Sequence, residues 1–237
     1  RPAMREIVLD TETTGLDPFT GDRIVEIGAV ELMNHMPTGR TFHQYINPER
    51  DMPDGAFAVH GLSQEFLSDK PVFAEIVEAF LEFVGSDKMV IHNASFDMKF
   101  INAELGWIKR GKLPMDQAID TLEIARKKYP GAQNSLDALC RRFSVDNSAR
   151  EKHGALLDSE ILAEVYLELI GGRQPDFMLA GSHHAASQRA GNIDGVWKPA
   201  RRPVELPSRL SPDEDKRHSA FIERLGDDSV WAKVNKT

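Results

Sequence analysis

Ile7-Val8-Leu9-Asp10-Thr11-Glu12-Thr13-Thr14-Gly15 joins a short apolar run to a polar turn. In a strand, successive side chains leave opposite faces, so Asp10 and Glu12 leave the same face and aim two carboxylates at one point. Two like charges this close are unfavourable unless a cation lies between them. Hard oxygen ligands of this kind suit Mg²⁺ or Mn²⁺ better than zinc. The strand-end pair therefore reads as the start of a divalent-metal site, with a polar turn after a buried strand as the plainer alternative.

Two further carboxylates stand where apolar residues belong. After the run Met89-Val90-Ile91 come His92-Asn93-Ala94-Ser95 and then a helical pattern from Phe96. On a helical wheel Asp97 falls among Phe100, Ile101, Leu105 and Ile108, on the core face. An Asp in the first turn behind a Ser cap would also complement the helix dipole, and Glu104 falls near the same stripe. From Ala155 a second stripe, Leu157, Ile161, Leu162, Val165 and Leu169, carries Asp158 in its middle. An unpaired carboxylate taken out of water costs several kcal/mol, so Asp158 needs a cation, a proton or several donors. His153, followed by Gly154, stands near the entrance of that helix.

In order and spacing these residues resemble the three exonuclease motifs of the DEDDh group of 3′-to-5′ exonucleases: Asp10-x-Glu12, Asp97 behind His92-Asn93-Ala94-Ser95-Phe96, and His153-x4-Asp158. The closer resemblance is to the epsilon proofreading subunits of bacterial DNA polymerase III. It runs over residues 5–172 and includes Ile24-Val25-Glu26-Ile27-Gly28-Ala29, Val59-His60-Gly61, Asn134-Ser135-Leu136-Asp137-Ala138-Leu139-Cys140 and Gly154-Ala155-Leu156-Leu157-Asp158. The resemblance implies an RNase H-like mixed five-stranded sheet flanked by helices. It implies hydrolysis of DNA 3′ ends with two divalent ions, Mg²⁺ or Mn²⁺, held by Asp10, Glu12, Asp97 and Asp158. His153 would be the general base, since an imidazole exchanges protons near neutral pH. Thr13, Gly15, Leu16, Val59, His60, Asn93 and Phe96 would grip the terminal nucleotide together with Asp10, Glu12 and Asp158. Taken alone, Leu16, Val59 and Phe96 read as core packing.

Apolar periodicity marks strands at 5–10, 24–33 and 40–46, a helix at 71–84, a strand at 89–92, and helices after 95, 121, 135 and 155. This is an α/β pattern, an antiparallel meander followed by crossover helices. The exonuclease domain is expected over 5–172. Residues 173–200 read as a flexible linker, since Gly, Ser, His, Ala and Gln dominate 181–195. At its start Gln174-Pro175-Asp176-Phe177-Met178-Leu179 resembles the short peptides that dock into a sliding clamp, with Gln174, Phe177 and Leu179 as contacts.

Residues 201–237 form the third segment. Ser211-Pro212-Asp213-Glu214 supplies an N-cap, a proline at the first helical position and the Glu of a capping box. His218, Phe221, Ile222 and Leu225 recur at helical spacing before Gly226, and Trp231 follows. A lone helix under about 15 residues is marginal in water, so its apolar face needs a partner. By resemblance, Phe221, Ile222, Leu225 and Trp231 would hold the polymerase alpha subunit, and a small theta-like subunit is expected in some bacteria.

Charge agrees with tethering. Residues 1–172 carry 18 Lys and Arg against 28 Asp and Glu, a net of −10, whereas 173–237 carry 11 against 9, a net of +2. The acidic part lacks the basic patch from which most nucleic-acid binders draw affinity. With no apolar run of membrane-spanning length and a lone Cys140, the expected placement is the bacterial cytoplasm. Two other readings share these residues. An exoribonuclease would use the same five groups but does not call for a C-terminal helix after a linker, and a silent polymerase-stabilising adaptor would not need them intact.

Overall fold

A computed structural model of the chain describes residues 3–171 and 211–225. It separates into two units, Arg1–Leu179 and Ala180–Thr237. In the first, β1 (Arg5–Thr13), β2 (Ile24–Met33) and β3 (Met36–Tyr45) form an antiparallel meander. Asn34 and His35 join β2 to β3 with φ of 51° and 67°, the positive pair that a tight hairpin turn requires. β4 (Lys88–Ile91) and β5 (Ala118–Asp120) add in parallel on the other side of β1, giving the order β3-β2-β1-β4-β5. This is the mixed five-stranded sheet expected from the sequence.

Short α1 (Asp54–His60) and α2 (Gln64–Leu67) precede α3 (Phe73–Val84) and α4 (Ala94–Trp107), and α5 (Thr121–Lys128), α6 (Leu136–Phe143) and α7 (Ala155–Leu169) follow. The alternation of β1 sorts them onto two faces. Ile7 and Leu9 pack with Phe73, Phe80, Phe100 and Ile101 of α3 and α4. Val8 packs with Leu162 and Tyr166 of α7. Because both faces are covered, β1 is buried almost throughout, and its even-numbered residues, Asp10 and Glu12 among them, lie on the α7 side.

Several elements differ from their sequence expectation. β1 runs past Asp10 to Thr13 because β2 pairs with it as far as Thr13↔Ile24, so the carboxylate pair lies within the strand. What ends early is β4, which pairs with β1 only over Glu6–Val8. β3 begins at Met36 and α3 at Phe73, where Glu75 accepts from the Val72 N–H at 2.9 Å. α4 begins at Ala94 behind a left-handed Asn93, φ 66°, so Ser95 is not its cap. α1, α2 and β5 are too short to show a period. In the second unit, α8 (Pro212–Leu225) carries the expected capping box: Ser211 N–H donates to Glu214 Oε2 at 2.9 Å and Glu214 N–H to Ser211 Oγ at 3.3 Å. The linker, Gln174, Phe177, Leu179 and Trp231 lie outside the described residues. No helix among the described residues is long and apolar enough to cross a membrane.

Gly28 sets the approach of α7 to the sheet. It stands opposite Asp10 in the register, and a Cβ there would lie 2.1 Å from the backbone N of Leu156 and 2.2 Å from the carbonyl carbon of Ala155. Ser159, fully buried one turn on, has Oγ 2.9 Å from the Gly28 carbonyl. The missing side chain thus lets the first turn of α7 descend onto β2 beside Asp10. Gly28→Ala should push that turn off the sheet, lowering stability by about 1 to 3 kcal/mol as overpacking does and nuclease activity with it. Thermal melts and rates on single-stranded DNA check this, and an unchanged pair of values would contradict it.

Candidate active site

Beyond Val8 the β4 side of β1 is open, and the crevice at the carboxyl end of the parallel strands begins there, the usual position for ligands in open α/β sheets. Four elements converge on it. β1 brings Asp10 and Glu12, the first turn of α4 brings Asp97, the first turn of α7 brings Asp158, and the loop before α7 brings His153. Asp97 and Asp158 are each 3 % exposed and Glu12 7 %. Asp97 is fastened to β1 by one oxygen, Oδ1, which accepts from Thr11 N at 3.1 Å and from Thr11 Oγ1 at 2.7 Å. Ligand atoms of Glu12, His153 and Asp158 all lie within 4.8 Å of one another.

Carboxylates buried elsewhere show what this site lacks. Glu104, on the same helix stripe as Asp97, takes both arms of Arg23 at 2.8 Å. Glu6 accepts from Tyr166 Oη at 2.7 Å and lies 2.7 Å from His35 Nδ1. No donor among the described residues reaches Asp10 or Glu12. Loss of water and then the charges of Asp97, Glu12 and Asp158 hold the Asp10 carboxyl well above its usual range. Burial and the neighbouring Asp158, Glu26 and Asp97 push Glu12 up to about 8. Burial raises Asp97 to about 7 against the bonds from Thr11. A buried, mutually repelling oxygen set of this composition fits a hard divalent cation.

Asp158 differs from the other three. Burial pushes it up, but hydrogen bonds from His153 and Arg150 and the Arg150 charge outweigh that and leave it below the ordinary carboxylate value. Arg150 was not legible as a site residue in the sequence. It sits in an aperiodic, polar stretch, Asp146-Asn147-Ser148-Ala149-Arg150, that reads as a solvated turn, and its partners are found only in space.

A cavity of about 550 Å³ adjoins the carboxylates. β1 and the turn after it line it with Glu12, Thr13, Gly15 and Leu16, and α4 with Asn93 and Phe96. Val59 and His60 line it from the end of α1. Asp158 lines an adjoining cavity with Asp10, His153 and Arg150. Leu16 is 81 % exposed and Val59 47 %, so neither is core, whereas Phe96 is half-buried against Phe100. His60 accepts from Leu62 N–H through Nδ1 at 3.0 Å, which places its proton on Nε2, a buried atom with no hydrogen-bond partner among the described residues. Such a wall offers apolar surface to a base. Pro53, Gly55 and Ala56 also line the cavity and carried no sequence signal.

The geometry has clear relatives. A family model described as exonuclease, of the RNase T type, matches residues 7–166. Among solved structures, the chain is similar to the nuclease domain of 3′hExo, a DEDDh family member bound to rAMP, with a TM-score of 0.63 and 20 % identity over 72 % of this chain and 94 % of that one. It is also similar to exonuclease X in complex with 5′ overhanging duplex DNA, with a TM-score of 0.55 and 25 % identity over 70 % and 92 %. DNA polymerase III subunit epsilon of Rickettsia felis is 56 % identical over 94 % of this chain and 97 % of that protein. The epsilon subunit of Escherichia coli is 41 % identical over 96 % and 97 %. With an exonuclease domain over most of its length and full-length identity of this order, the chain belongs to the family of DNA polymerase III epsilon subunits.

Proposed function

We propose that this chain is the proofreading 3′–5′ exonuclease of the replicative DNA polymerase III, removing mispaired 3′-terminal nucleotides. The observation that carries the reading is four carboxylates gathered beside a nucleotide-sized cavity, two of which, Asp10 and Glu12, meet no donor among the described residues. Asp10, Glu12, Asp97 and Asp158 would hold two divalent ions, Mg²⁺ or Mn²⁺, which supply an activated water and a positive charge for the departing 3′ oxygen. Water adds to phosphorus, the bond from phosphorus to the 3′ oxygen breaks, and His153 takes the proton. Thr11 keeps Asp97 in place, Leu16 and Val59 flank the terminal base, and His60 lines the nucleotide pocket.

The acidic exonuclease domain would bind DNA weakly and depend on tethering, which raises the local concentration of 3′ ends to about the millimolar range for a short flexible link. The C-terminal segment would supply the tether to the alpha subunit. Phe221 and Leu225 of α8 are each 50 % exposed and no residue of that helix is buried. Residues 173–200 would link it to the exonuclease domain at 5–172, with Gln174, Phe177 and Leu179 as a weak clamp contact, and a theta-like subunit would bind the exonuclease domain. All of this takes place at the chromosome, in the bacterial cytoplasm.

Single-stranded DNA labelled at its 5′ end should shorten from the 3′ end only when Mg²⁺ or Mn²⁺ is added. Asp10→Ala, Glu12→Ala, Asp97→Ala and Asp158→Ala should each lose more activity than the roughly 10² to 10⁴-fold expected of His153→Ala. A near wild-type rate in any of them would remove that residue from the site.

The raised carboxylates also make metal-free stability depend on pH. Glu12 near 8 and Asp97 near 7 hold protons in the folded chain that the unfolded chain releases at about 4. The folded state binds more protons in that window, so stability should fall as pH rises from about 4 to about 8. The depressed value of Asp158 acts below this window. Melts with EDTA and with Mg²⁺ at pH 5 and pH 8 should show the larger metal-induced rise in Tm at pH 8; equal rises would contradict the assignment.

Truncation after residue 180 should leave exonuclease activity on single strands nearly unchanged and abolish co-elution with the alpha subunit in size-exclusion chromatography. Phe221→Ala and Trp231→Ala should each weaken that complex by about 1 to 4 kcal/mol, as anchor residues do. Full co-elution of the truncated chain would move the interface to the exonuclease domain.

A further inference from the structure

Arg150 lies three residues before His153 in the stretch between α6 and α7, yet its side chain is 8 % exposed. Its fork closes on Asp158, with Nε 2.6 Å from Oδ1 and Nη2 2.7 Å from Oδ2. Nη1 reaches Asp137 Oδ1 at 2.8 Å, and Nη2 stands 2.8 Å from His153 Nδ1 and 3.4 Å from its Nε2.

The guanidinium charge is seated on both oxygens of Asp158, so a divalent ion that takes Asp158 as ligand meets a like charge there and competes with Arg150 for the carboxylate. His153 Nδ1 stands 2.8 Å from Arg150 Nη2 and 3.4 Å from Asp158 Oδ2, so the same fork crowds the imidazole. Asp137 stands outside the four carboxylates, its side chain is 46 % exposed, and it can retain the guanidinium once the fork has opened. Arg150 lines the same cavity as Asp10, Asp158 and His153, into which the scissile phosphodiester must come.

We propose that Arg150 is a resident counter-ion that Asp158 exchanges for divalent metal, and that the freed guanidinium, still held by Asp137, binds a non-bridging oxygen of the DNA phosphate. The planar fork and permanent charge suit a phosphate as well as a carboxylate. This inference rests on the reading of Asp158 as a metal ligand.

The test uses the full-length chain, Mn²⁺ titrations by calorimetry without DNA, and oligothymidylate as substrate. Arg150→Met removes the charge and keeps most of the stem. It should bind Mn²⁺ several-fold tighter than wild type and melt lower in EDTA. It should also show a dependence of KM on salt whose log–log slope is shallower by about 0.7, the value of one phosphate contact on a single strand. Arg150→Lys keeps the charge without the fork, so it should also bind Mn²⁺ tighter while retaining the wild-type salt slope; it carries the test if Arg150→Met does not fold by circular dichroism. Mn²⁺ affinity equal to or weaker than wild type in the folded variants overturns the exchange, and an unchanged salt slope in Arg150→Met overturns the phosphate contact. If wild type and Asp158→Asn bind Mn²⁺ alike, the metal-ligand reading of Asp158 has failed and the proposal falls with it. Loss of the Arg150 effect alone, with Asp158→Asn still deficient, leaves that reading standing.

Discussion

Four carboxylates cannot be gathered out of water without an opposing charge, and the site follows from that constraint. Elsewhere in the domain the fold meets it internally, with Arg23 on Glu104 and Tyr166 and His35 on Glu6. At the crevice it does so only for Asp158, through Arg150, and the consequence is an upward displacement of Asp10, Glu12 and Asp97. A cluster held this way stores affinity for a divalent cation, because binding relieves a repulsion that the folded backbone enforces. The close seating of α7 on β2 at Gly28 is what enforces it. Moved outward, the first turn of α7 would carry Asp158 away and the repulsion would relax without metal.

The same seating divides the labour between the two faces of β1. One face is apolar and locks the strand to α3 and α4 through Ile7 and Leu9. The other carries Val8 toward α7 and then, two residues further, Asp10. A central strand covered on both sides is the least mobile element available, and a metal site needs its ligands fixed to within fractions of an ångström. Two exposed apolar side chains stand at the cavity. Leu16 and Val59 remain uncovered at the cavity, where a base can bury them.

Net charge sets how the domain must be used. A surface with a net of −10 over residues 1–172 repels the backbone it hydrolyses. Under the proposed tethering such an enzyme would be selective through its attachment, since a tethered site meets the growing end far more often than any other. Weak intrinsic binding is then useful, because a correctly paired end is left to the polymerase.

The sequence by itself determined what local periodicity can encode. Asp97 and Asp158 announce themselves by occupying apolar stripes, Asp10 and Glu12 by sharing a strand face, and Ser211 and Glu214 by capping-box spacing, since each signal depends only on residues a few positions apart. Short α1 and β5 complete less than the span over which a period can be read. The tertiary structure decided everything that depends on charge meeting charge across the chain. Glu104 and Asp97 sit on one stripe of α4 and look alike in sequence; only the placement of Arg23, 81 positions away, makes one a structural ion pair and leaves the other without a cationic partner at the crevice. Leu16 and Val59 read as core, because hydropathy does not say which way a surface side chain turns. Arg150 gave no signal at all, because its meaning lies in Asp137, His153 and Asp158 being brought around it, and counter-charges in a low-dielectric site are chosen by proximity in space rather than by order in the chain.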